Sequence, residues 1–455
     1  MDGPLYNNRM RKEPQMTQFQ MPLLTDAGRV LSPKPRHRRI SPERLPTNTT
    51  TANHSVHRWF NFIAGFSPEF VDGVCRDSLS DQHQHVLLDP FAGCGTAPLE
   101  ALTHGMNAIG YEAHPFFERI CRAKLSAHAM ADRLNDIHNA IVAGLDEPTP
   151  LTILGDSQRV FLEKLFSADA LMQLLGAREY LANSGLHHDP LAFLVLSKTL
   201  EQSSHSATDG IYKAPTSRKR AISPIEAVST VCDMVRTDIE SLSQSHPLGT
   251  VHVYGKSSEN MVEVADASVS IVVTSPPYLN NFDYAEMTRM QLYFWGMASS
   301  WGEITEKVRS RLVVNTTTAL KGHKHLQESY RQEIPTVVHD ELDLIVAALR
   351  ERRGRKAGKK EYDLLVYPYF AQMTRVLREC FRVMRLGAPM HIMVADSALY
   401  GTHIRAPQIL ANILEELGFL NVTCNLVRKR GHRWILEKRE GAEAGLGEYH
   451  IQSTR

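Results

Sequence analysis

The sequence predicts an α/β protein built on a doubly wound, mainly parallel sheet, and three stretches predict it. Val269-Ser270-Ile271-Val272-Val273 is a β-branched, apolar run of the kind a parallel sheet buries on both faces. It stops at Thr274-Ser275-Pro276-Pro277-Tyr278, where two consecutive prolines forbid both further strand pairing and an immediate helix. Upstream, Val86-Leu87-Leu88-Asp89 runs through Pro90-Phe91-Ala92-Gly93-Cys94-Gly95-Thr96 into a helix expected from about Ala97 to His104. Near the other end, a helix from Ala406 to Leu417, closed by Gly418, precedes two strands near Phe419 to Val427 and Arg433 to Glu437. Ligands of open α/β sheets bind at the carboxyl ends of the strands, so the loops after Asp89 and Thr274 are the expected site.

Composition bounds the remaining classes. A chain of 455 residues, 43% hydrophobic and 22% charged, can bury one large core or two modest ones. Lys+Arg 51 against Asp+Glu 50 leaves a net charge of +1, so only local clusters can argue for nucleic acid. Cys75, Cys94, Cys121, Cys232, Cys380 and Cys424 form no C-x-x-C pair, which points to reduced thiols in a cytoplasmic protein and to no metal site. No apolar run approaches the roughly 18 residues of a membrane span, and no hydrophobic signal segment opens the chain. A membrane partner is not expected.

In chain order, residues 1–53 lack apolar periodicity and carry Lys34-Pro35-Arg36-His37-Arg38-Arg39, a flexible basic arm that suits either phosphate contact or plain solvation. Residues 54–112 open the core. Trp59, Phe60, Phe62, Ile63, Phe66, Phe70 and Val71 suggest a short amphipathic helix before the first strand. Gly93 and Gly95 let backbone approach a ligand that the following helix N-terminus, beginning near Thr96, can hold. A second strand, Ala108 to Glu112, ends in an acid 17 residues after Gly95, the place from which a carboxylate accepts both hydroxyls of a ribose. An exposed strand-end acid is the bland alternative for Glu112.

Residues 113–250 read as a mainly helical insertion, with helices over Phe116–Ala143, Phe161–Asn183, Pro190–Gln202 and Pro224–Leu242. Its loop Asp209–Arg220 holds Tyr212, Lys213, Arg218, Lys219 and Arg220, a mixture that suits phosphate and base contact or a solvated surface. Residues 251–296 resume the core with a strand Val251–Tyr254, the loop Gly255-Lys256-Ser257 and the Pro-Pro turn. Gly155-Asp156-Ser157 reads as a turn and helix cap. Residues 297–361 form a second insertion with seven basic residues in the eleven from Arg350 to Lys360, Arg352, Arg353, Arg355 and Lys356 among them. That run makes a local positive field suited to nucleic acid or to solvent. Residues 362–438 complete the core, with a helix Asp363–Met384 and a strand Met390–Ala395, and residues 439–455 are expected to form a C-terminal tail.

Leu88 to Thr96, with Glu112 after it and Thr274-Ser275-Pro276-Pro277-Tyr278 downstream, resembles the cofactor and catalytic motifs of the DNA amino-methyltransferases. The resemblance runs from His57 to about residue 438. It implies a class I S-adenosylmethionine-dependent methyltransferase fold, a Rossmann-like seven-stranded sheet with its last strand antiparallel, carrying helical insertions. It further implies S-adenosyl-L-methionine as cofactor, held by Asp89, Pro90, Phe91, Gly93, Gly95, Thr96 and Glu112. DNA is then the substrate, and a restriction or defence-system component is an admissible companion. An acid commonly follows the glycine of Gly255-Lys256 in that family; Lys256 departs from this and shifts the expected adenine contact to Ser257, Ser258 or backbone.

The implied chemistry is methyl transfer to an exocyclic amine, a poor nucleophile because its lone pair is delocalised into the base. Ser275 and the Pro276 carbonyl can accept its two N–H groups and localise that pair, Pro277 stiffens the turn, and Tyr278 can stack on an extruded base. Ser at 275 is more typical of N4-cytosine enzymes, Asp or Asn of N6-adenine enzymes. No Pro-Cys nucleophile for carbon-5 methylation is present. An RNA amino-methyltransferase, a small-molecule methyltransferase or an idle DNA-binding subunit are the competing classes.

Overall fold

The computed structural model describes residues 51–60, 65–78, 85–127, 131–208, 213–243, 249–280, 282–355, 360–429 and 446–455, with the side chains of 131, 207, 208, 213–218 and 243 excepted. The basic arm before residue 51, Lys356 and the strand expected at Arg433–Glu437 lie outside these residues.

Eleven strands are present among them: β1 (Val86–Asp89), β2 (Asn107–Tyr111), β3 (Ser206–Thr208), β4 (Lys213–Arg218), β5 (Val251–Tyr254), β6 (Ile271–Thr274), β7 (Pro389–Ala395), β8 (Ser397–Leu399), β9 (Thr402–Ile404), β10 (Leu420–Lys429) and β11 (Gly447–Thr454). Seven form one sheet in the order β10-β11-β7-β6-β1-β2-β5, while β3-β4 and β8-β9 are separate two-stranded ribbons. β5, β2, β1, β6 and β7 pair in parallel. β11 is antiparallel to both β7 and β10.

The sheet's centre follows from its residues. All four positions of β6 are buried, as a β-branched strand covered on both faces requires. Leu87 and Leu88 of β1 pair with Ile271 and Val272, and Asp89 lies opposite Gly110 of β2. From β1 the chain moves to β2 on one side, whereas β6 lies on the other, so a switch point falls between β1 and β6. The loops leaving these two strands emerge together on one edge.

Helices cover the sheet much as the periodicity predicts, with instructive differences. The expected helix Phe116–Ala143 is two, Pro115–Leu125 and Leu134–Leu145, and the expected Phe161–Asn183 is preceded by Asp156–Leu162 and begins as a long helix only at Ala168. Before residue 60 the chain makes 3-10 turns rather than an α-helix, and the helix of this region is Pro68–Ser78. The inserted helices share an apolar core with Pro115–Leu125 through Phe116, Phe193, Leu174 and Val231. They also grip the core after the turn: Gln158 Nε2 donates to Tyr293 O at 2.9 Å and Trp295 Nε1 donates to Ser197 Oγ at 2.9 Å.

The C-terminal reading needs correction. Residues 439–455 contain no mere tail: β11 runs through Gly447–Thr454 between β10 and β7 and supplies the antiparallel strand expected at Arg433–Glu437. The segment escaped notice because Ile451 is its lone aliphatic residue. Its acid, Glu448, is 7% exposed and is compensated by bidentate hydrogen bonds from Arg428 at 2.6 and 3.1 Å.

Candidate functional site

Asp89 closes β1 with a carboxylate that is 1% exposed. It accepts the Phe91 N–H at 3.0 Å and the Thr274 hydroxyl at 2.7 Å, so one side chain ties the first turn of the glycine loop to the end of β6. Burial pushes its pKa up to about 7. Glu112, just beyond β2, accepts the Gly93 N–H at 2.8 Å and the His114 N–H at 2.7 Å, and burial pushes it too up to about 7. Gly93 has φ +53° and Gly95 φ +87°, conformations that glycine adopts without penalty. A Cβ on Gly95 would lie 3.0 Å from Cys121 Sγ, whereas one on Gly93 would find nothing nearer than Phe91 O at 4.0 Å. Gly95 therefore packs inward, and Gly93 leaves open space on the cavity side.

That cavity measures about 1140 Å³ including its open mouth. Asp89, Pro90, Phe91, Gly93, Thr96, Glu112 and Ser257 line it together with Ser275, Pro276, Pro277 and Tyr278. The glycine loop and the Pro-Pro turn thus face one enclosure. Among the described residues, Ser275 Oγ and Pro276 O have no hydrogen-bond partner, while Pro277 O accepts the Tyr369 hydroxyl at 3.0 Å. Ser257 Oγ donates to Glu259 at 3.1 Å, and the neighbouring Ser258 Oγ is buried with no partner. Lys256 is turned to Glu263 at 2.5 Å, which also accepts the Tyr111 hydroxyl at 3.1 Å.

Several lining residues were not singled out in the sequence. Lys124 is 2% exposed and donates to His57 O at 2.8 Å and Phe60 O at 2.7 Å, with burial lowering its pKa to about 8. It falls on the apolar face Phe117, Ile120, Cys121, a signal that its helical spacing offered. Asp238, at 1% exposure, accepts from Val56 N, Arg58 and Trp59 Nε1, and so holds the segment that brings Thr51 and Phe60 to the cavity wall. His114 accepts the Phe116 N–H on Nδ1 at 3.2 Å and faces the Thr288 hydroxyl with Nε2 at 2.9 Å. Burial lowers its pKa to about 3, which fixes it as a neutral linker. Tyr284 and Arg311 complete the mouth.

The basic residues fare unevenly. Arg353 is committed to the buried Asp363 at 3.0 Å, Arg352 to Tyr400 O at 2.9 Å and Arg355 to Glu351. The run from Arg350 is helical through Arg355, part of His339–Arg355. Lys219 Nζ donates to Glu201 O at 2.8 Å, and Arg220 is exposed. The side chains of Lys213 and Arg218 lie outside the described residues. Among the described side chains, those of Lys219, Arg220, Arg352, Arg353 and Arg355 do not line the cavity. Potential metal-ligand atoms of Asp72, Glu100 and His104 gather within 4.8 Å of one another, also away from the cavity. All six cysteines are free, and burial raises the Cys94 thiol to about 12, leaving it a neutral wall residue.

Against known proteins, no family model matches the chain. It is 25% identical over 427 residues to the Type II methyltransferase M.BsoBI of Geobacillus stearothermophilus, covering 85% of this chain and 83% of that protein. It is 24% identical over 412 residues to the Type II methyltransferase M.AvaI of a Nostoc species and to that of Anabaena variabilis, covering 82% of this chain and 81% of each. The chain resembles type II methyltransferases over most of its length. Its seven-stranded, mostly parallel sheet with flanking helices fits the class I methyltransferase fold. Among the described residues, no helix is long and apolar enough to cross a membrane.

Proposed function

We propose that this chain is a site-specific DNA methyltransferase that uses S-adenosylmethionine to methylate an exocyclic amino nitrogen of an extruded base, with N4 of cytosine as the acceptor. The observation that carries the reading is the shared enclosure: the glycine loop after Asp89 and the Ser275–Tyr278 turn line one cavity. A donor and an acceptor lodged there meet without a relay. The similarity to type II methyltransferases supports the substrate class.

The residues present fit the cofactor. Glu112 stands where a ribose diol can donate to it, Gly93 leaves room for close backbone approach, and the unpartnered, buried Ser258 hydroxyl suits an adenine nitrogen. The bound cofactor would supply an electrophilic methyl on a sulfonium. On the acceptor side, Ser275 Oγ and Pro276 O take the two amino hydrogens and localise the nitrogen lone pair as positive charge develops. Tyr278 and Tyr284 offer rings to the extruded base. One amino proton is lost to solvent at the mouth as the new C–N bond forms.

Ser275 in place of an acid or amide favours cytosine; N6 of adenine is the second reading. Incubating the purified chain with methylation-free DNA and labelled cofactor, then digesting to nucleosides, decides between them. N4-methylcytosine is expected. N6-methyladenine alone would overturn the choice of base, and label appearing in RNA but not in DNA would overturn the substrate class.

A further inference from the structure

We propose that Tyr369 and Asn315 are positioning residues that clamp the Pro-Pro turn from behind and set the direction of its acceptor groups. The inference rests on the function proposed above. A turn with proline at 276 and 277 has no N–H at either position, so its backbone can be anchored there only through carbonyl oxygens. The Tyr369 hydroxyl takes Pro277 O at 3.0 Å. Asn315 Nδ2 reaches Tyr278 O at 3.4 Å and Phe282 O at 2.9 Å, bracketing the segment that leaves the turn.

Both donors are buried, Tyr369 at 0% and Asn315 at 3% exposure, and neither lines the cavity. They act on the turn, not on a ligand. Burial holds the Tyr369 hydroxyl well above its ordinary pKa, so it remains a donor at any working pH. The two are themselves registered by one helix, Val366–Val383. Gln372, on the turn after Tyr369, accepts the Val314 N–H at 2.8 Å beside Asn315 and donates to Glu259 at 3.2 Å. Glu259 in turn accepts from the Ser257 hydroxyl, and Ser257 lines the same cavity as the turn. One helix therefore links the turn to the loop that carries Ser257.

The test uses Tyr369→Phe, which keeps the ring and removes the donor, and Asn315→Ala, in the full chain. Cofactor affinity is read by calorimetry, turnover on methylation-free DNA, and deuterium uptake over residues 275–282. Expected are turnover lowered roughly 10- to 100-fold, as small misplacement of reacting groups produces, affinity within about 2-fold and faster exchange confined to 275–282. Unchanged turnover, or unchanged exchange in that segment, would overturn the clamp. So would a loss of cofactor affinity and of protection throughout the sheet, which a merely structural role predicts. If the wild-type chain methylates no DNA, the proposed function fails, and the exchange measurement alone then decides the clamp.

Discussion

The glycine loop after β1 and the Pro-Pro turn after β6 leave neighbouring strands on one edge, yet they are held in opposite ways. The loop is anchored by its own donors: Phe91 N to Asp89, Gly93 N to Glu112, Gly95 N to Ala92 O at 2.7 Å, and Ala92 N to Tyr111 O at 2.9 Å. Each partner lies within 19 positions in sequence. The turn's two prolines offer carbonyl acceptors and no N–H, and its clamps come from residues 92 and 37 positions away. Cofactor binding should thus depend on local backbone conformation, and turnover on the assembled fold.

Gly93→Val breaks that contrast most severely. A β-branched residue is strained at φ +53°, by about 1–3 kcal/mol, and its methyls would project into space the loop leaves open. S-adenosylmethionine affinity is expected to fall by more than ~10²-fold, about 2.7 kcal/mol, by calorimetry, with the thermal midpoint little changed. Unimpaired affinity would remove the loop from the cofactor site. Ser275→Ala attacks the other side. Turnover should fall roughly 10²-fold while cofactor affinity stays within about 2-fold, as expected of a polar group used in the transition state. Equal losses in both would merge the two regions into one function.

The same contrast explains what could be read from the residues. β1, the glycines, Glu112, β6 and the prolines lie in contiguous strings whose backbone demands are local, and the structure brings Asp89, Gly93, Glu112, Pro276 and Pro277 to one cavity, with Gly95 packed behind the loop. Tyr369 and Asn315 sit in a helix and a strap that look like ordinary core, because a hydroxyl aimed at a carbonyl 92 positions away leaves no periodic trace. The basic run from Arg350 to Lys360 reads in the sequence as a positive field suited to nucleic acid or to solvent. Half its meaning lay in Asp363, an acid at 1% exposure that three-dimensional packing brings under Arg353. β11 leaves as little trace, since Ile451 is its lone aliphatic residue and its acid, Glu448, is compensated by Arg428 from the neighbouring strand.

A pH series sharpens the comparison from the binding side. If the ribose hydroxyls of S-adenosylmethionine donate to the ionised form of Glu112, as the proposed function requires, a bound cofactor lowers that carboxyl's pKa and binding releases a proton. Burial sets the free value at about 7. Affinity should therefore rise up to about tenfold per unit as pH approaches 7 from below and level off above it. Folding has the opposite sign: a carboxyl raised above its unfolded value of about 4 loses stability as pH rises between the two. Glu112→Gln should flatten the binding profile. Burial pushes Asp89 up to about 7 as well, and its charge adds to the rise of Glu112, so Asp89→Asn should keep the Glu112 slope but move its upper limit to lower pH.

The smallest expected effect separates basic residues that serve the fold from those left for DNA. Arg220 is exposed, and no described residue hydrogen-bonds it, whereas Arg353 compensates a buried acid. If Arg220 meets a phosphate, Arg220→Ala should weaken binding a few-fold on every DNA sequence and lower the slope of log affinity against log salt by about 0.9. Arg353→Ala should leave that slope alone and lower the thermal midpoint instead, because Asp363 loses the nearer of its two arginines, Arg350 standing at 3.7 Å. A salt slope that moves with Arg353 and not with Arg220 would reverse the assignment and make the second insertion the DNA-facing surface.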